Sequence, residues 1–149
     1  MLKRFLFVTG ILLALTNIQA NGPFGLGLMV GNFNGITMKY KVGSANAIAA
    51  GAHIPLGKNR GIGVYGDYLF ILPNAIHLDV PAHFLYYGLG AGLYTGGSDL
   101  ALGVRIPFGL GVPIYDVMEV FLEIVPSLGV IPEVGFDFFN AGLGFRYFF

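Results

Sequence analysis

Cysteine is absent from the 149 residues, which excludes disulfides, thiolate metal sites and cysteine nucleophiles. Charge is scarce too: 11% of residues are Asp, Glu, Lys or Arg and 55% are hydrophobic, where an ordinary soluble domain carries about 25% charged residues. Such a chain should face something other than water. A basic excess is also missing, and two of the eight basic residues, Lys3 and Arg4, stand before the apolar run Phe5 to Leu15 and the short exit Thr16 to Ala20. That order is the three-part pattern of a secretory signal peptide, and the run is too short to cross a bilayer core of ~30 Å, which needs ~20 residues. Cleavage near Ala20 is expected, leaving 1–20 as signal peptide and 21–149 as one domain with six basic residues against eight acidic ones. No footprint for nucleic acid survives in that balance.

A long apolar helix is lacking as well. The one extended charge-free stretch, Val80 to Ser98, contains Pro81, His83 and five glycines, all poor in a helix interior. A closed β-barrel is the other structure that satisfies every backbone group within lipid, and the 24 glycines and eight tyrosines fit it better.

What the chain does have is a period of two. Ala141, Leu143, Phe145, Tyr147 and Phe149 fall on one face, and Asn140, Gly142, Gly144, Arg146 and Phe148 on the other. The pattern recurs with Leu100, Leu102, Val104, Ile106, Phe108 and Leu110 opposed to Asp99, Ala101, Gly103, Arg105, Pro107 and Gly109. It recurs again with Val120, Leu122 and Ile124 against Glu119, Phe121 and Glu123, and with Ile36, Met38 and Tyr40 against Thr37, Lys39 and Lys41. Tyr65 and Asp67 likewise oppose Val64 and Tyr68. Eight strands are expected, at 24–31, 35–42, 46–54, 61–71, 83–94, 99–110, 118–127 and 140–149, with longer connections only at Pro73 to Ala82 and Gly129 to Phe139. The fold class read from this is all-β, an eight-stranded antiparallel transmembrane barrel in an up-and-down meander. The competing soluble sandwich or lipocalin-like barrel would carry Lys, Glu, Thr and Ser opposite the apolar face. Here that face is mostly Gly and Ala with a few charges, as a crowded lumen requires.

The carboxyl end, Gly142-Leu143-Gly144-Phe145-Arg146-Tyr147-Phe148-Phe149, resembles that of bacterial outer-membrane barrels with a terminal aromatic assembly signal; Gly144, Tyr147 and Phe149 match it, and Gly142 stands where those families have a polar residue. Further segments, among them Asp67-Tyr68-Leu69, Tyr86-Tyr87-Gly88-Leu89-Gly90 and Leu102-Gly103-Val104-Arg105-Ile106-Pro107, are similar to a family of small uncharacterised eight-stranded outer-membrane barrels. The resemblance implies fold and an outer-membrane location without an activity. It also implies periplasmic chaperones and the barrel assembly machinery as partners during biogenesis, and outer-membrane lipid thereafter. A monomer is expected.

The chemistry the chain can offer is concentrated on the inward faces. Arg105, Glu119, Glu123 and Arg146 form the main polar set, joined by Asp67 and Lys39. A hairpin centred near Ile114 would set Arg105 opposite Glu123, and one centred between Val134 and Gly135 would bring Glu123 to Arg146, giving a carboxylate between two guanidiniums. The expected role is to fill the lumen and neutralise charges that are costly to bury alone; the alternative is the polar constriction of a narrow pore. Lipid-modifying enzymes exist among small outer-membrane barrels, but Ser44, Ser98 and Ser127 form no motif with His53, His77 or His83, so no enzyme and no catalytic residue is expected. His77, Asp79 and His83 match no strong metal motif, and neither metal nor cofactor is expected. Tyr40, Tyr68, Tyr87, Tyr94, Tyr115 and Tyr147 read as interfacial girdle residues.

Overall fold

The computed structural model describes residues 22–54, 61–80, 82–96 and 99–149, with the backbone alone at 136–139. The expected signal peptide lies outside the described residues. Nine strands follow one another: β1 (Phe24–Gly31), β2 (Gly35–Lys41), β3 (Asn46–His53), β4 (Gly61–Pro73), β5 (Phe84–Gly96), β6 (Asp99–Arg105), β7 (Phe108–Ile114), β8 (Met118–Ile131) and β9 (Gly135–Phe148). All pairings are antiparallel, each strand but β6 pairs with the next, and β1 pairs with β9, which closes the sheet. Closure removes the free edges on which an open sheet would aggregate.

Strands β6 and β7 together occupy one wall, so the barrel has the expected eight. Both pair with β5 on one side and β8 on the other. The expected single strand over 99–110 is interrupted because Pro107 has no N–H for the ladder. Its carbonyl still accepts from the Gly88 N–H at 2.9 Å, and the Ile106 N–H donates to Pro126 O at 3.0 Å. The break therefore leaves side-chain alternation intact: Arg105 and Pro107 are buried, Ile106 and Phe108 exposed.

The second departure concerns 129–139, expected as a long connection. β8 instead runs on to Ile131 and β9 begins at Gly135. At Pro126 the register shifts between Val125 and Ser127 against β9. A bulge can absorb a residue without an N–H while the strand continues.

Inward glycines are where large inward side chains of the next strand come to rest. A Cβ on Gly144 would lie 2.1 Å from the Phe121 ring, and one on Gly109 would lie 2.1 Å from the Tyr86 ring. Alternating glycine and aromatic side chains thus fill a cross-section that eight strands make narrow. Phe121 and Tyr86 are accordingly almost fully buried. The outward face is the reverse, with Leu28, Ile62 and Leu89 exposed at 63, 62 and 59%.

Candidate functional site in the lumen

All six residues of the inward polar set, Lys39, Asp67, Arg105, Glu119, Glu123 and Arg146, are at most 3% exposed and lie inside the barrel. Three cations and three carboxylates balance. They reach the interior by strand parity alone, since residues two apart on a strand share a face.

Toward the end where β1 begins and β9 ends, the termini end of the described barrel, Glu119 is the bridging carboxylate. Lys39 Nζ donates to its Oε2 at 2.9 Å and Oε1 at 3.1 Å, and Arg146 Nη1 donates to Oε1 at 2.8 Å. Arg146 also donates from Nε and Nη2 to Thr37 Oγ1, at 3.1 and 2.8 Å. Its guanidinium lies 3.7 Å from the Phe121 ring centre, and Lys39 Nζ stands 4.5 Å from that of Phe84. Farther along the axis, Tyr86 donates to Glu123 Oε2 at 2.7 Å. The other oxygen of Glu123 makes no hydrogen bond among the described residues and stands 3.9 Å from Arg105 Nη2. Arg105 instead donates from Nε and Nη2 to Asp67, at 3.0 and 3.1 Å, and from Nη1 to the Tyr94 hydroxyl at 3.2 Å, with the Tyr65 ring centre 4.0 Å away.

The partners across the ladder differ from those expected, although Arg105 and Glu123 still stand as an ion pair. Glu119, not Glu123, lies opposite Arg146, and Arg105 faces Ser127 across the ladder. The reason is local. Tyr115 and Asp116 both take left-handed backbone, at φ 50° and 59°, as the two central residues of a type I′ turn do. With Val117 they make a three-residue connection centred on Asp116, across which Ile114 pairs with Met118. The β8–β9 hairpin is likewise displaced, turning at Pro132 to Val134. A displacement by an even number of residues keeps every side chain on its face and changes only its partner.

Tyr94 is a second correction. It was read as a girdle residue, but its hydroxyl accepts from Arg105 and its ring packs on Phe33 inside the barrel. Tyr40, Tyr68, Tyr87 and Tyr115 are exposed. Parity marks Thr37 and Tyr65 as inward, and Tyr86 shares the face of Gly88 and Gly90; the Thr37 and Tyr86 hydroxyls bond Arg146 and Glu123, and that of Tyr65 donates to Thr37. Phe33, in the β1–β2 turn, carried no periodic signal and was missed.

A cavity of about 550 Å³ opens at the termini end, lined by Lys39, Lys41, His83, Phe84, Glu119 and Phe148 among others. Among the described residues no serine is hydrogen-bonded to a histidine: Ser127 Oγ is buried without a partner, His53 Nδ1 donates to Asn34 O, and His83 Nε2 donates to Ile76 O. No group of three or more His, Asp or Glu side chains among them is placed to hold a metal ion.

No family model and no curated protein matches the chain. Among solved structures it is similar to the N-terminal β-barrel domain of Pseudomonas aeruginosa OprF, with a TM-score of 0.60 and 13% sequence identity over 85% of this chain and 95% of that one. At that identity the likeness shows the barrel fold.

Proposed function

We propose that the chain is an outer-membrane β-barrel with a structural or surface-interaction role, its lumen closed by side chains. The observation that carries this is the inverted distribution of polarity: six charged side chains are buried inside, while large apolar side chains such as Leu28, Ile62, Leu89, Leu122 and Leu143 stand exposed on the outer wall. Water-soluble proteins rarely expose contiguous apolar patches beyond a few hundred Å², whereas a lipid-facing band needs an apolar exterior. Inside, the ion pairs and rings leave the charged groups almost without exposure, which supports a plugged interior over an open pore. The purified protein should therefore give no conductance steps in planar bilayers, and it should run faster unboiled than boiled in a detergent gel. Stable, reproducible channels would favour a narrow pore instead.

The same reading gives the last strand its role in biogenesis. Gly144, Tyr147 and Phe149 are the residues we assign to the assembly signal, recognised by the barrel assembly machinery after delivery by periplasmic chaperones. Phe149 stacks on Phe24 at 6.2 Å and meets Tyr147 at 5.3 Å, beside the seam where β1 and β9 close. Deleting Phe149 is expected to lower the folded fraction in cells severalfold while purified chain still refolds in detergent. Equal loss in both settings would mean that Phe149 serves only the closure of the sheet.

A further inference from the structure

The β1–β2 turn, Asn32 to Asn34, lies at the mouth opposite the termini, and its middle side chain points into the barrel. Phe33 is 5% exposed. Its ring stacks on the His53 imidazole at 3.9 Å and 18°, and meets Tyr65 and Tyr94 edge-on at 5.9 and 5.8 Å. The Arg105 guanidinium lies 5.3 Å from its centre. Four rings thus form one layer next to the Arg105 and Asp67 pair.

The backbone holds this turn while leaving the ring secured by packing alone. Asn32 N–H donates to Ala141 O, Gly31 N–H to Asn34 Oδ1, and both His53 Nδ1 and Ile54 N–H to Asn34 O. Gly31, at φ 153°, and Gly35 let the turn lie close on its neighbours, since a Cβ would fall 2.2 Å from Ala141 O and 2.0 Å from Ala52 O respectively. A tether this short, fixed on both sides, aims Phe33 inward.

The two ends of the lumen consequently differ. At the termini end the cavity reaches Lys39 and Glu119; at the other, among the described residues, the Phe33 layer covers Arg105. Charged layers attract water, while an apolar constriction excludes it by dewetting.

We infer that Phe33 is the seal of this barrel: its ring makes the lumen one-ended, and its withdrawal admits water and small solutes to the Arg105 layer from the mouth opposite the termini. The inference rests on the filled-lumen reading. It is tested through Ser127, which is buried and pairs in register with Arg105, in a chain whose lack of cysteine leaves an introduced thiol as the sole reactive one. Ser127→Cys in folded protein should react with a small methanethiosulfonate at least tenfold faster when combined with Phe33→Ala. Combined with Phe33→Leu, which keeps an apolar plug, it should stay within a few-fold of the single variant. Unboiled gel mobility reports that each variant is folded. Should Phe33→Ala not fold, His53→Ala, which removes the surface the ring rests on, is held to the same tenfold. Equal rates with and without the ring overturn the seal. Channels formed by the unsubstituted protein would overturn the closed-lumen reading instead, and the ratio of labelling rates would still decide the seal.

Discussion

Replacing Glu119 with leucine is expected to destabilise the barrel by about 3–5 kcal/mol, the usual cost of removing one partner from a buried ion pair. Two cations depend on that carboxylate: Lys39 at 2.9 Å and Arg146 at 2.8 Å. Among the described residues Arg146 would keep Thr37 and the face of Phe121, and Lys39 only the faces of Phe84 and Tyr86. Arg146 cannot be deprotonated in practice, so its charge would stay buried. The triple variant Lys39→Met, Glu119→Leu, Arg146→Met should recover most of the loss, because apolar side chains of similar volume replace a buried ion triad with little or no penalty. Equilibrium urea unfolding in lipid vesicles measures both. A cost below about 1 kcal/mol for Glu119→Leu, the range of solvent-exposed pairs, would mean that water from the adjoining cavity solvates the two cations, and the lumen would then be wet rather than filled.

The second large effect belongs to the outer wall. Leu89 lies near the middle of β5 and is 59% exposed. Leu89→Arg should cost about 2–4 kcal/mol if that wall faces hydrocarbon, the cost measured for arginine near a bilayer midplane. On a water-facing surface the same change would stay within about 0.5 kcal/mol. The unfolding free energy in vesicles separates the two. Leu100→Arg, one residue from the start of β6, should cost less, because the penalty falls toward the interface. Equal small costs at both positions would count against a lipid-facing wall.

The inward set was legible residue by residue. Lys39, Asp67, Arg105, Glu119, Glu123 and Arg146 all occupy the face opposite large apolar neighbours, and in an extended chain that assignment needs no knowledge of the fold. Which pairs form was not legible. The partner of Arg146 depends on where the β8–β9 turn falls; the connection was expected from Gly129, whereas β8 runs on past the bulge at Pro126 to Ile131. Tyr94 was misread because a tyrosine near a strand end fits both an interfacial girdle and a lumen wall. Phe33 could not be found at all, since a turn residue has no alternating neighbours to declare its direction.

The sequence by itself therefore determined the class of fold, the number of barrel walls and the two faces of each strand, because period two is a property of the local chain and survives any even displacement of register. Only the tertiary structure decided that Glu119 bridges Lys39 and Arg146, that Asp67 takes Arg105, and that Phe33 packs among His53, Tyr65 and Tyr94. Those contacts join residues such as Lys39 and Glu119, 80 positions apart, and the turns that set their alignment act on the pairing of strands, which no single strand encodes.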